Sequence, residues 1–258
     1  MTLYGLSRLI WISVLPRCAR RVIWNVTPRP LQALRGGLVS RLACRARHDE
    51  IYDAEYFDRF VEPTMAMSCD IIAHTIIEEL NPRTVVDVGC GTGLLLQSLK
   101  TSGIRVLGLE NAVAAISTCR QRGIRVEKFD IENEPARDWN ADVVVSTEVA
   151  EHLPSSCADR FVDLLTSISE NIVLSAALPG SGGNDHVNEQ PNEYWIGKLR
   201  RRGYHFDRER SEHWRRRWRE AGVAGCFARS VMIFTCARSA STTVDPASRA
   251  GAAGIAVG

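Results

Sequence analysis

A short run of glycines holds the first residues in this sequence that could bind a ligand. Val85, Val86 and Val88 predict a strand buried on both faces, and Gly89, Gly91 and Gly93 follow it directly. Glycines lack the Cβ atoms that would hold a ligand away, and they permit positive φ angles. Main-chain N–H groups and the start of the next helix, predicted at Leu94–Thr101, would then face one crevice. Such a crevice suits a nucleotide-like ligand, although glycine turns also close ordinary strand–helix junctions.

An acidic residue strengthens this signal. The second predicted strand, Arg105–Leu109, ends in Glu110, which lies 17 positions after Gly93. An acid at the end of the second strand, about 20 residues beyond a glycine turn, can accept hydrogen bonds from ribose hydroxyls. The turn and the acid together predict a bound nucleotide-like cofactor.

Two polar loops contain the candidate catalytic residues. Glu148, Glu151 and His152 follow the fourth predicted strand, Ala141–Ser146, and His186 lies in a later glycine-rich connection. Neutral imidazole is a competent base near pH 7. We therefore predict that His152 and His186, with Glu151 beside them, are catalytic. The alternative for each histidine is a loop residue that only orders the backbone.

Four short motifs occur in a fixed order within residues 50–237. They read D-V-G-C-G-T-G at 87–93, L-G-L-E at 107–110, F-D-I at 129–131 and A-D-V-V-V-S-T-E-V-A-E-H-L-P at 141–154. In this order they resemble the class I S-adenosylmethionine-dependent methyltransferases. The resemblance implies S-adenosylmethionine as the cofactor. It also implies an α/β, Rossmann-like, doubly wound fold, whose seven-stranded sheet is mostly parallel with an antiparallel last strand.

The same resemblance assigns roles in cofactor binding. Asp130 would accept a hydrogen bond from the adenine amino group, and the main chain at Ile131 would complete that contact. A turn or helix-capping aspartate is the alternative for Asp130. The predicted cofactor-binding residues are Asp87, Gly89, Cys90, Gly91, Gly93, Glu110, Asn111, Asp130, Ile131 and Glu148.

The segment H-V-N-E-Q-P-N-E-Y-W at 186–195 bears on the acceptor. It resembles bacterial methyltransferases of types 11 and 23, which modify sugars, glycans and secondary metabolites. O-methylation of a small polar acceptor, such as a sugar or glycan, is therefore the predicted reaction. Five side chains here could contact a polyol ring: His186, Asn188, Gln190, Tyr194 and Trp195. Tyr194 and Trp195 could instead pack the helix on the sheet.

Two other functions are open. E-x-x-E-H at 148–152 with a later histidine also resembles small-RNA 2′-O-methyltransferases, which bind a divalent metal through such residues. Many metal-independent enzymes share this loop, so we predict no metal site. The other alternative is a protein that binds S-adenosylmethionine without turnover.

Charge and composition argue against several other classes of protein. Residues 1–48 contain nine arginines and no acid, so the rest of the chain carries −7 against a total of +2. A predicted basic helix at Asp207–Ala221 carries Trp214 and Trp218, which could stack on nucleic-acid bases, but the acidic balance makes nucleic acid an unfavoured partner. Eight cysteines without a C-x-x-C pair favour a reducing, cytoplasmic location. We predict no transmembrane span.

The domain prediction has three parts. Residues 1–48 form a basic, poorly ordered extension, with a transit peptide or a membrane-surface helix as the alternative. Residues 49–238 form the methyltransferase domain with a helical insertion at 207–221, and residues 239–258 form a disordered tail. Three further elements are predicted within the domain: an amphipathic helix at Ser68–Leu80, a third strand at Gly123–Lys128 and a last strand at Arg229–Cys236.

Overall fold

The structure is a computed structural model, and it describes residues 51–236. The predictions for 1–48 and 239–258 lie outside these residues. Between residues 51 and 236, no helix combines the length and apolar character needed to cross a bilayer.

The centre of the fold is a seven-stranded sheet with the order β3-β2-β1-β4-β5-β7-β6. Strands β1 to β5 pair in parallel, and β7 runs antiparallel to both β5 and β6. This confirms the predicted Rossmann-like α/β class. The strands are β1 (Thr84–Val88), β2 (Arg105–Glu110), β3 (Val126–Lys128), β4 (Val143–Thr147), β5 (Asn171–Ser175), β6 (Tyr204–Phe206) and β7 (Met232–Cys236).

Helices cover both faces of the sheet. They are α1 (Ala54–Tyr56), α2 (Glu62–Leu80), α3 (Leu94–Thr101), α4 (Val113–Gln121), α5 (Ala158–Ile168), α6 (Asn192–Arg200), α7 (Arg208–Glu220) and α8 (Gly225–Ser230). A π-helical turn at Phe57–Val61 joins α1 to α2.

Successive valines of the central strands supply two separate cores. Val144 packs with the cluster that includes Phe161 and Trp195, whereas Val143 and Val145 pack with the cluster that includes Trp218. Side chains alternate between the two faces of a strand, so a run of consecutive valines is what a doubly covered sheet requires.

Three predicted starts are wrong by three residues or more. Strand β3 begins at Val126 because Gly123 adopts a φ of 66° and the Ile124 N–H bonds to Cys119, which ends α4. Helix α2 begins at Glu62, before the predicted Ser68. The last strand begins at Met232 because Gly225–Ser230 forms α8, which its weak apolar periodicity concealed.

The predicted insertion helix is present as α7, but its tryptophans are core residues. Trp214 and Trp218 are both 0% exposed. The Trp214 Nε1–H donates to Glu79 (2.6 Å), and the Trp218 Nε1–H donates to Thr75 (3.1 Å), both on α2. The two rings therefore cannot serve as stacking platforms for nucleic acid.

Candidate active site

One cavity of about 500 Å³ opens at the carboxyl edge of the parallel strands. This is where ligands bind in open α/β sheets, and the volume lies within the usual range of small-molecule sites. Of the predicted site residues, all except Gly93 line the cavity: Asp87, Gly89, Cys90, Gly91, Glu110, Asn111, Asp130, Ile131, Glu148, Glu151, His152 and His186.

The glycine turn after β1 is shaped by close packing. Gly89 has a φ of 76°, and a Cβ there would lie 2.5 Å from a methyl group of Val149. Gly93 precedes α3 with a φ of 78°, and a Cβ there would lie 2.9 Å from the sulfur of Cys119. A side chain at 89 would thus collide with Val149, which lines the cavity, whereas a side chain at 93 would collide with Cys119 of α4.

The carboxylate of Glu110 braces this turn. One of its oxygens accepts hydrogen bonds from the N–H groups of Asn111 (2.7 Å) and Ala112 (2.8 Å). The other accepts from the Gly91 N–H at 2.8 Å. Because β1 and β2 are neighbours, this acid links the ends of both strands. Any ribose contact at Glu110 would add to this structural role.

Asp87 presents an unsatisfied carboxylate to the cavity. The residue is 3% exposed, and its Oδ1 has no hydrogen-bond partner among the described residues. Burial, with the charge of Glu110 adding to it, raises the pKa of Asp87 to about 7. A buried carboxylate without a partner is suited to a ligand group that is positively charged.

The Asp130 side chain is held in a local turn. Its carboxylate accepts hydrogen bonds from the N–H of Glu132 (2.9 Å) and from the main chain (3.2 Å) and side chain (2.7 Å) of Asn133. This is the arrangement of a turn aspartate. Asp130 and Ile131 still line the cavity, so the adenine contact stays a prediction.

The segment before α2 covers the cavity and is fastened to the glycine turn. Tyr52, Tyr56 and Phe57 line the cavity. At the start of α2, Glu62 accepts hydrogen bonds from the guanidinium of Arg122 at 2.6 and 3.0 Å, and from the hydroxyl of Thr92 in the turn. The segment that carries these aromatic residues is therefore anchored by this ion pair.

Glu62→Ala is expected to weaken binding of a ligand in this cavity about 3- to 10-fold. The pair is only about one-fifth exposed on each side chain, so its loss should free the covering segment and cost stability on the order of 1–2 kcal/mol. Calorimetric titration and thermal unfolding would measure both effects. Glu212→Ala is the matched control, because it removes the same charge from an exposed pair with Arg208 on α7. Equal affinities in the two variants would contradict the anchoring role.

Glu151, His152 and His186 meet at one side of the cavity. One potential ligand atom from each lies within 4.8 Å of the other two. The two imidazole rings pack edge to face with their centroids 4.9 Å apart. Glu151 is 0% exposed, and neither of its carboxylate oxygens has a hydrogen bond of good geometry within the described part of the chain. Burial first, and then the charge of Glu148, holds the pKa of Glu151 well above its usual range.

Glu148 lies beside this group, and its carboxylate is hydrogen-bonded to two serines. Its backbone takes a φ of 55°, which is uncommon for a residue with a side chain. Its carboxylate accepts hydrogen bonds from the hydroxyls of Ser175 (2.8 Å) and Ser230 (3.4 Å). Burial raises the pKa of Glu148. This acid thus links the loop after β4 to β5 and α8, and it still lies close enough to Glu151 to raise the pKa of that residue.

Sequence reasoning missed the partners of the two histidines. The Nδ1 of His152 lies 2.9 Å from the hydroxyl of Tyr52. The Nδ1 of His186 lies 2.8 Å from a carboxylate oxygen of Glu189. Tyr52 precedes His152 by 100 positions and gave no local signal. Glu189 is three residues from His186, and this spacing was the one available clue.

Most of the predicted acceptor contacts lie elsewhere. Of the five side chains proposed to contact a polyol, only His186 lines the cavity. Trp195 is 0% exposed and packs edge to face against Phe161 and Tyr194. The remaining two bond to each other, since the Gln190 amide donates to Asn188 at 2.9 Å. Trp195 thus packs α6 on the sheet, and His186 is the one of the five that reaches the cavity.

Three comparisons place this fold and site among known proteins. Residues 57–224, about two thirds of the chain, match a family model described as a methyltransferase domain. The chain is 36% identical over 91 residues to a ubiquinone biosynthesis O-methyltransferase of Methylococcus capsulatus, a match that covers 33% of this chain and 37% of that protein. The chain thus spans little more than a third of the length of that relative.

Two solved structures share the fold. A sugar N-methyltransferase of a Streptoalloteichus species aligns with a TM-score of 0.55 at 14% identity, over 71% of this chain and 92% of its own. The magnesium protoporphyrin IX methyltransferase of Synechocystis aligns with a TM-score of 0.51 at 18% identity, over 62% and 89%. These likenesses show the fold, and the family match over residues 57–224 confirms the predicted family: the chain belongs to the methyltransferase-domain family that its four motifs resemble.

Proposed function

We propose that this chain transfers a methyl group from S-adenosylmethionine to a hydroxyl group of a small polar acceptor, such as a sugar. The chain is a methyltransferase by family, and S-adenosylmethionine is its methyl donor. One observation carries the proposal of acid–base catalysis: a single cavity joins the glycine turn to the imidazoles of His152 and His186. The donor site and a base thus share one space.

The residues of the turn fit this donor. The unpartnered oxygen of Asp87 would pair with the ammonium group of its methionine part, Glu110 would contact the ribose, and Ile131 would border the adenine. When bound, the donor supplies a methyl carbon made electrophilic by its sulfonium. The covering aromatic side chains of Tyr52, Tyr56 and Phe57 would exclude water from the reacting atoms.

The chemical task left to the protein is alignment and proton removal. Methyl transfer is an in-line displacement, so the acceptor oxygen must face the methyl carbon. A hydroxyl acceptor must also lose its proton, and a positioned base contributes about 10²- to 10⁴-fold to such a step. His186 is the base in this proposal because its Nδ1 lies 2.8 Å from a carboxylate of Glu189, which can offset the charge that the ring gains when it accepts a proton.

The direct test is transfer of an isotope-labelled methyl group from S-adenosylmethionine to a panel of acceptors. The panel should contain free sugars, nucleotide-linked sugars, phenols and short RNAs, with product analysis by mass spectrometry. A methylated sugar or other small alcohol would support the proposal. Tight cofactor binding without any product would favour the non-catalytic alternative. A cytoplasmic location is also part of the proposal, and the free thiols of Cys90 and Cys119 beside the turn are consistent with a reducing compartment.

A metal-assisted reaction is the second candidate, and the meeting of Glu151, His152 and His186 favours it. A divalent cation would offset the buried, unsatisfied carboxylate of Glu151. Ligand atoms on one small ion lie about 2.0–2.3 Å from it, hence at most about 4.5 Å apart, so a spacing of up to 4.8 Å needs only a small closure.

Metal analysis of the purified protein separates the two candidates. We expect turnover to survive chelation if His186 acts as a base. Activity that is lost with a chelator, restored by Mg²⁺ or Mn²⁺ and directed to a ribose 2′-hydroxyl of RNA would instead establish the metal-assisted reaction. Glu151→Gln should then abolish metal binding while cofactor affinity is retained.

A further inference from the structure

We propose that Glu189 is a positioning residue that holds His186 with its proton on Nδ1, so that the free Nε2 faces the acceptor hydroxyl. This inference rests on the proposed function, because it names the group that prepares the proposed base. Glu189 does not line the cavity and is not among the residues that the sequence motifs single out.

The hydrogen bonds around Glu189 define its role. One carboxylate oxygen lies 2.8 Å from Nδ1 of His186 and accepts the N–H of Gly182 at 2.7 Å. The other oxygen accepts the N–H of Gly180 at 2.7 Å. A carboxylate in this setting accepts, so the imidazole must donate from Nδ1. The neutral ring then carries its lone pair on Nε2.

The loop that contains these glycines also fixes the plane of the ring. A Cβ on Gly183 would lie 2.2 Å from Nε2 of His186 and 2.5 Å from its Cε1. The ring therefore sits directly on the glycine backbone, and the side chain is 14% exposed. Glu189, itself 18% exposed, ties this loop at two points and the ring at a third. Ring orientation and proton position thus depend on one carboxylate.

Two neutral groups face the ring of His152. Its Nδ1 faces the neutral hydroxyl of Tyr52 at 2.9 Å and the carbonyl oxygen of Asp185 at 3.4 Å. A phenol cannot offset the positive charge that a ring gains when it accepts a proton, whereas an adjacent carboxylate can. The carboxylate of Glu189 therefore supports the base role of His186.

The proton and electron balance of the step follows from this geometry. The acceptor oxygen forms a bond to the methyl carbon as the carbon–sulfur bond breaks, and sulfur keeps that electron pair. The hydroxyl proton passes to Nε2 of His186. The resulting imidazolium keeps its Nδ1–H on Glu189, whose charge stabilises it. Glu189 touches neither the acceptor nor the donor.

The first experiment is 15N NMR of the histidine side chains in the full chain at about pH 8, where an ordinary imidazole is neutral. The His186 signals are assigned by their loss in His186→Asn. We expect the Nδ1–H tautomer for His186 in the wild-type protein. The Nε2–H tautomer would overturn the proposal, and this result does not depend on how any Glu189 variant folds.

The second experiment compares Glu189→Gln, Glu189→Asp and the exposed control Glu193→Gln. Glutamine can place its amide N–H toward Nδ1 and so favour the wrong tautomer. We expect a roughly 10- to 100-fold fall in kcat for Glu189→Gln with an unchanged KM for S-adenosylmethionine. Partial recovery is expected in Glu189→Asp, and no change in the control. A kcat for Glu189→Gln equal to that of the wild type would overturn the inference.

Variants of His186 keep the two levels of proposal separate. If His186→Asn is inactive while Glu189→Gln is fully active, the base stands and the positioning role fails. If His186→Asn retains full turnover, the proposed base itself fails. Thermal unfolding of each variant distinguishes a collapsed loop from a lost tautomer, because only the former lowers the melting temperature and cofactor affinity together.

Discussion

Asp87→Asn is expected to stabilise the free protein at neutral and higher pH while it weakens binding of S-adenosylmethionine at least ~100-fold. The carboxylate is buried at the end of β1 and one of its oxygens has no partner among the described residues. The negative charge of Asp87 therefore destabilises the free folded protein, and it becomes favourable only when a cationic ligand is bound. Binding-site residues often carry such a cost in stability.

The pH dependence of stability follows from the raised pKa. The carboxyl group has an ordinary pKa of 3.8, and burial raises it to about 7 in the folded protein. Between these values the unfolded chain has released the proton and the folded chain has kept it, so stability falls as pH rises through this window. Below about pH 4 the effect vanishes, and above about pH 7 it is complete. The difference between the two pKa values corresponds to a loss of at most about 4 kcal/mol in the free energy of unfolding.

Urea unfolding at about pH 5 and pH 8 would measure the effect. We expect wild-type stability to decline between these values, apart from other titrating groups, and the decline to be smaller in Asp87→Asn. Calorimetry should show that cofactor binding near pH 6 to 7 releases a proton from the wild type and none from the variant. Equal pH dependence in both proteins would contradict the assignment.

Asp142→Asn is the matched control. Asp142 lies just before β4, and its carboxylate accepts hydrogen bonds from the N–H groups of Arg83 (2.8 Å) and Thr84 (2.9 Å) at the opposite end of β1. Although burial opposes it, these bonds lower the pKa of Asp142. Its contribution is therefore present above the ordinary pKa and lost as pH falls below it. We expect Asp142→Asn to destabilise the protein and leave cofactor affinity unchanged.

The sequence predicted those parts of the structure that depend on neighbouring residues. The valines of β1, the glycine turn and Glu110 lie within one strand–helix–strand unit, so their spacing alone determines their arrangement. The Gly91–Glu110 hydrogen bond is a product of that unit. In this strand–helix–strand unit, the structure has the elements that the sequence pattern predicted.

The parts that the sequence did not predict depend on contacts between distant elements. Trp214 and Trp218 share one face of α7, and that spacing fits a stacking surface or a core equally well. Their burial depends on α2, which lies more than 130 positions earlier and receives both indole N–H groups. The Tyr52–His152 contact likewise joins the covering segment to a loop after β4. The local periodicity of the sequence gives no information about such contacts between distant elements.

His186→Asn is expected to lower turnover about 100-fold or more while it leaves affinity for S-adenosylmethionine within about 2-fold of the wild type. Proton removal by a positioned base is worth about 10²- to 10⁴-fold. His186 lies in the glycine-rich connection after β5 and is not part of the turn after β1 that would hold the donor. A defect confined to kcat would show that the residue acts in the chemical step.

His152→Asn provides the comparison within the site. Its ring packs against His186 and its Nδ1 faces Tyr52. If it supports the position of His186 and does not take the proton, turnover should fall only about 3- to 10-fold, as expected for lost alignment. His205→Asn, at an exposed position of β6, controls for the loss of an imidazole elsewhere and should be fully active.

Added imidazole gives the sharpest readout. A free base that enters the space left by His186 should restore part of the turnover of His186→Asn, and it should do nothing for His152→Asn. The reverse pattern, with rescue of His152→Asn alone, would assign the proton to His152. In that case the carboxylate of Glu189 would only stabilise the loop that contains Gly180 and Gly182, and the phenol of Tyr52 would orient the base.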